Sequence, residues 1–229
     1  MDSSAPQRVS RPFAGNRPLQ AMVVVYGLAW IAGAVAPVDR ETWLLENLLV
    51  FAAVAVLAAT HGRWAFSNLS YALLGVFLLL HVVGSHYTYS AVPPGDWVRD
   101  TLGLTRNHYD RFVHGCFGLL CAYPLREITL RRVHAHRSWS YLIPVFMVVA
   151  VSASYEVIEW AAARTVDPEV GVAYVGAQGD VWDGQKDMFL ALLGASLAMA
   201  LTGLYRLATG REPYRGPFSV GPSGAGRRA

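Results

Sequence analysis

Three stretches of this chain carry no Asp, Glu, Lys, Arg or His: from Arg17 to Asp39, from Arg137 to Glu156 and from Asp187 to Arg206. Each reaches the ~20 residues that a helix needs to cross a ~30 Å hydrocarbon core. Lipid offers the backbone no hydrogen bonds, so such runs must become helices or a closed barrel. The ~10-residue apolar alternation of a barrel strand is missing. A fourth run, from Trp64 to Leu80, continues past His81 to Ser85. Two shorter ones are interrupted: Trp43 to Thr60 by Glu46, and Tyr109 to Leu125 by Asp110, Arg111 and His114. The expectation is an all-α polytopic membrane protein with six transmembrane helices, in line with its 54% hydrophobic residues. The membrane domain is expected over residues 19–207, with flexible cytoplasmic tails at 1–18 and 208–229. The first run is too long for the apolar core of a cleaved signal peptide, and further spans follow it, so it reads as a retained helix.

Orientation follows from the basic residues. Thirteen of the 19 Lys and Arg fall in the tails and loops of one side, and Arg40, Arg99, Arg106, Arg111, Arg164 and Lys186 fall on the other. The richer side is cytoplasmic, which places both termini there. The formal charge of +3 is thus a signal of topology, and no basic-aromatic surface pattern supports nucleic-acid binding. Cys116 and Cys121 are too far apart on one helix to bond to each other and read as small packing residues.

Helical rise gives each polar residue a depth. Glu46, His81, His114, Glu156, Glu159 and Asp187 all come out roughly 18–28 Å above the cytoplasmic helix ends. Five helices thus carry ionisable groups into the outer half of the bilayer. Each intramembrane charge costs ~2.5–3.5 kcal/mol on insertion scales, so the group calls for mutual pairing or a wet recess. Spacing supports convergence, because Asp110 and His114, Glu156 and Glu159, and Asp183 and Asp187 can each share a helical face. His81 is preferred over His86, which lies near the water interface.

Three readings of this constellation stand side by side. Histidine with several carboxylates suits a divalent metal, with His114, Glu156 and Asp187 as ligands. Alternatively Arg111, Arg164 and Lys186 neutralise the acids in a salt-bridge network that fastens the helices. A proton relay or ion path is the third. Asp180 or Asp183 is also suited to cap the last helix, whose positive end favours acids. The connection from about Gly84 to Asn107, and that from about Ala161 to Lys186, are longer than hairpins require. The second is rich in aromatics and acids and reads as an ordered cap over the recess.

Asp110-Arg111-Phe112-Val113-His114-Gly115-Cys116-Phe117-Gly118-Leu119 resembles the central signature of the YjdF family of uncharacterised bacterial inner-membrane proteins. Ser154 to Trp160 and Gly176 to Met188 match the same family. The resemblance implies a multi-pass protein of the bacterial inner membrane and supplies no activity. A more distant similarity is to VanZ-like membrane proteins, which carry an Asp-Lys-x-x-His helix, a later intramembrane Glu and an Asp-rich final helix. Asp110 with His114, Glu156 or Glu159, and Asp183 or Asp187 match those elements. Arg111 replaces the Lys, and Ala191 stands near the position of that family's Asn. This second resemblance implies work on the envelope or on lipid headgroups.

The leading functional expectation is therefore a membrane protein that binds a polar or lipid-linked envelope ligand in an outer recess, with metal-assisted hydrolase or transferase chemistry as its enzymatic form. Asp110, His114, Glu156, Glu159 and Asp183 are the candidate catalytic residues, Glu159 or Asp183 as general base. Glu46, His81, Arg111, Gln178, Asp180 and Gln185 are candidate ligand contacts. The alternatives are an ion- or proton-coupled carrier and a non-catalytic scaffold.

Overall fold

A computed structural model describes residues 13–133, 135, 138–211 and 213. Among these, all regular structure is helical: α1 (Arg17–Ala34), α2 (Arg40–Trp64), α3 (Asn68–His86), α4 (Pro93–Leu102), α5 (Tyr109–Ile128), α6 (Trp139–Ala163), α7 (Pro168–Val175) and α8 (Asp183–Thr209). By length and composition α2, α3, α6 and α8 are long and apolar enough to cross a membrane. Helices α1 and α5 occupy the positions of the two other expected spans but do not meet that measure. The first opens on Arg17, Pro18 and Gln20, and the second carries Asp110, Arg111, Arg126 and Glu127.

The folded chain starts earlier than expected. Residues 1–12 of the expected tail lie outside the described residues, but Phe13–Gly15 form a 3₁₀ turn and Asn16 is buried. The Asn16 side chain accepts from Leu19 N at 3.3 Å, capping α1, and donates to Asn68 Oδ1 at 2.7 Å on α3. At the other end α8 runs to Thr209 and stops on Gly210 in the left-handed region. Residues 212 and 214–229 of the second tail lie outside the described residues.

The centre of the bundle is a seam between α5 and α8 on which small residues decide the spacing. A Cβ on Gly118 would fall 2.0 Å from Ala191 O, and one on Gly194 would fall 2.1 Å from Gly115 O. The two backbones therefore touch, as small residues allow in membrane helix pairs. Ala122, Val148, Ala191 and Ala195 continue this core across α5, α6 and α8 and are fully buried. Cys121 is buried and Cys116 half-buried, both free thiols.

A second polar tie joins the same end of the bundle as the Asn16–Asn68 bond. Buried Glu127, near the end of α5, accepts from Ser67 N at 3.0 Å, from Ser70 Oγ at 2.6 Å and from Arg131 at 2.6 Å. Ser67 also caps α3 through Ser70 N. The turn between α2 and α3 is thereby pinned to the end of α5. Beside it Arg126 is 1% exposed and lies 4.5 Å over the Tyr141 ring.

Candidate functional site

The connections from α3 to α5 and from α6 to α8 each contain a short helix, which the sequence reading left as loop. In each case proline at the first helical positions and glycine after the last one mark the ends: Pro93 and Gly103 for α4, Pro168 and Gly176 for α7. Asn107, fully buried, joins α4 to α5 by donating to Val92 O and Asp96 Oδ1 and accepting from Tyr109 N. Its backbone pairs in both directions with the side chain of Gln178, at 2.9 and 3.0 Å. Gln178 adopts φ 48°, a left-handed backbone held in place by that reciprocal pair. This residue, an expected ligand contact, thus clamps one outer connection to the other.

Arg106 completes the clamp. It is 5% exposed, donates to Ala177 O at 3.1 Å and is ion-paired to Asp183 at the first turn of α8. Arg111 is ion-paired to Asp180 and lies 3.2 Å from Asp183, while Lys186 meets Asp180 at 2.5 Å. The Lys186 ammonium, the Trp182 N–H and the Arg111 guanidinium hold the Asp180 carboxyl well below the usual carboxylate range. Neither acid caps α8 itself. The cap position is Trp182, without a side-chain bond, and Asp180 Oδ1 instead accepts from Trp182 N at 3.0 Å, in the bend that leads into the helix. Gln185 is exposed and, two residues from both Asp183 and Asp187, sits on the other side of the helix.

These pairings decide how far the salt-bridge reading extends. Arg106, Arg111 and Lys186 are engaged with Asp180 and Asp183, and Arg164 is exposed. Deeper in the bundle a different set meets. His114 Nε2 lies 3.5 Å from Asp110 Oδ1 and 3.8 Å from Glu156 Oε1. Ligand atoms of Asp110, His114 and Asp187 all fall within 4.8 Å of one another. Asp187 is 2% exposed, and its Oδ1, like Glu156 Oε1, has no hydrogen-bond partner. Glu156 rests against α8 at Gly184, where a Cβ would come within 2.6 Å of its Oε2.

Asp110 and His114 also form part of the wall of a cavity of about 480 Å³. Its polar end collects Glu46, His81, Tyr89, Tyr155, Glu159 and Tyr174, and its apolar wall runs through Val50, Ala53, Phe77, Phe117 and Val151. Tyr89 bonds His81 Nδ1 at 2.6 Å, and Tyr155 donates to Glu46 Oε2 at 3.1 Å, linking α6 to α2. Burial, with the Glu46 and Glu159 carboxylates nearby, raises the Tyr174 phenol above its ordinary range, so it remains a neutral group. His86 does turn away, bonding Gly33 O on α1 at 2.9 Å.

Helix α2 packs on α3 and α7, and the cavity separates it from α6. Leu49 of α2 and Val151 and Ile158 of α6 line the cavity and are exposed to the outside as well. The opening is therefore on the flank of the bundle, between two apolar helices.

Of the residues expected from sequence, Glu46, His81, Asp110, His114 and Glu159 line this cavity, and Glu156 and Asp187 stand directly behind Asp110 and His114. Arg111, Gln178, Asp180 and Asp183 hold the cap. The sequence reading did not place Arg106, Asn107, Tyr89 or Tyr155 at the site, and expected Tyr174 only as part of the covering loop. A hydroxyl beside Glu156 at membrane depth was the available signal for Tyr155, whereas Tyr89 stands in the turn after α3 with no such signal. Nothing in one sequence distinguishes Arg106 from an interfacial anchor.

The chain resembles known proteins over the region that builds this site. It is 40% identical over 158 residues to "Inner membrane protein YjdF" of Escherichia coli (strain K12), covering 69% of this chain and 75% of that protein. No solved structure matches. Residues 18–208, from the start of α1 to the end of α8, match the family described as "Predicted membrane protein (DUF2238)". Apolar helices, the match across the whole helical region and the relative of the inner membrane agree: the chain is a multi-pass inner-membrane protein and belongs to the DUF2238 family.

Proposed function

We propose that this protein binds an amphipathic, lipid-type ligand in the flank-opening cavity, with the polar head among Glu46, His81, Asp110, His114 and Glu159 and the apolar tail along Val50, Ala53 and Phe77. In this reading α1 and α5 also cross the bilayer, the arginine-rich ends lie in the cytoplasm, and the site belongs to the outer half of the membrane. The observation that carries the proposal is the segregation within one cavity of a carboxylate, imidazole and phenol end from an apolar wall. A purely structural ion-pair network would need no cavity, and cations already pair Asp180 and Asp183 without involving the cavity acids. The metal-assisted hydrolase or transferase form of this reading adds a cation at the acidic end, which would activate water or a leaving group.

Native mass spectrometry of the protein in lipid nanodiscs tests the proposal. Wild type is expected to retain an amphiphile at near one per chain, and Val50→Trp and Ala53→Trp, which fill the apolar wall, are expected to release it while remaining folded. Retention in both variants, or no retained amphiphile in wild type, overturns the reading.

A carrier draws support from the same acids. Among the described residues, however, Ser67, Ser70 and Arg131 at the opposite end are taken up by Glu127, which favours a site open at one end over a through-path.

A further inference from the structure

The acids of the outer end divide into two groups by partner. Asp180 and Asp183 are matched by Arg106, Arg111 and Lys186. Asp110, Asp187 and Glu156 surround His114, the basic group that meets them, and two of their oxygens lack any hydrogen-bond partner. A buried carboxylate oxygen left unsatisfied costs more than an ordinary hydrogen bond contributes. That cost persists unless a proton or a cation occupies the space the oxygen faces.

From this geometry we infer a divalent metal site held by Asp110, His114 and Asp187, with Glu156 adjoining it. Tetrahedral oxygen and nitrogen donors bound at ~2.1 Å stand roughly 3.4 Å apart. His114 Nε2 and Asp110 Oδ1 are already 3.5 Å apart, and no pair in the trio exceeds 4.8 Å. Closure by about an ångström would complete the ligand set, within reach of side-chain rotation. Asp187, whose Oδ1 is buried and unpartnered, supplies the oxygen that nothing else in the fold uses.

One imidazole with two carboxylates suits zinc or manganese better than calcium or magnesium, which favour all-oxygen shells. Three protein ligands leave a coordination position open, as in catalytic rather than structural zinc sites. Asp110 and His114 belong to the cavity wall as well, so the open position adjoins the space proposed for the ligand head. Glu156 Oε1, 3.8 Å from His114 Nε2, is placed to join as a fourth ligand or to accept a proton from a metal-bound water.

The inference deepens the ligand reading and rests on it only for what the metal would meet. Its test reads the metal directly. Full-length protein in nanodiscs, stripped with chelator and titrated with zinc and with manganese, is expected to bind one ion per chain. Second-shell changes alone weaken metal sites by ~10–100-fold, so removing a ligand in Asp187→Asn or His114→Ala should cost at least about 100-fold in affinity. Exposed Asp100→Asn should bind as wild type does. Metal-induced thermal stabilisation should appear in wild type and vanish in the two ligand variants, each checked for a monodisperse elution profile. Binding of neither ion by wild type, or unchanged affinity in both well-folded ligand variants, overturns the inference. Val50→Trp should bind metal normally even where it releases the amphiphile, which separates failure of the metal site from failure of the ligand reading.

Discussion

At the scale of single residues, two acids one turn apart on α8 have opposite fates. Asp183 meets two guanidinium groups, and Asp187, four positions on, meets His114 and leaves an oxygen free. Spacing showed that both share a face, but not which cation each would find, because Arg106 reaches Asp183 from another connection. For this reason Asp183, expected as a general base, is better understood as an anchor. Asp180 gives the cap a pH dependence of definite sign. Its carboxyl is held below the ordinary value in the folded protein, so its contribution is present above the unfolded carboxylate range and is lost as pH falls through the folded value. Protection of residues 176–182 against hydrogen exchange, taken relative to the intrinsic rate at each pH, is expected to fall below about pH 4, and Asp180→Asn should show that lower protection already at neutral pH. Equal protection at both pH values would contradict this role.

At the scale of elements, the α5–α8 seam sets the site. Asp110 and His114 lie on one side of it and Asp183 and Asp187 on the other, and Gly118 and Gly194 fix the separation. A methyl group at Gly118 has no room against Ala191 O, and overpacking of this kind costs ~1–3 kcal/mol or more. Gly118→Ala is therefore expected to lower the unfolding temperature and weaken metal binding together, whereas Gly75→Ala, which meets nothing within 4 Å, should do neither. Thermal melts with parallel metal titrations check both. The helices themselves were legible because charge-free runs of bilayer length have few other solutions. Helices α4 and α7 were not recognised because each is short, although their proline starts and glycine stops stand in the sequence. The seam was invisible for another reason. Gly115 and Gly118 are on α5 and Gly194 is on α8, and one sequence does not pair them.

At the scale of the whole molecule, polarity gathers at the two ends of the bundle in different forms. One end is closed by Glu127 with Ser67, Ser70 and Arg131, all satisfied by protein groups. At the other, satisfied pairs form a cap over acids that are not satisfied. The sequence alone does not reveal this tie, since two of the groups that bind Glu127 come from the turn between α2 and α3. The proposed orientation makes a direct prediction for single cysteines in a background lacking Cys116 and Cys121. A membrane-impermeant thiol reagent applied from outside should label Asp167→Cys and spare Gly15→Cys until the membrane is opened. The reverse pattern would invert the topology.

The gap between α2 and α6 has a consequence for how the proposed amphiphile would be loaded. In that reading a doorway flanked by Leu49, Val151 and Ile158, spanned by the Tyr155–Glu46 bond, would face hydrocarbon. Occupancy would then track the guest's mole fraction among neighbouring lipids, and its solubility in water would hardly matter.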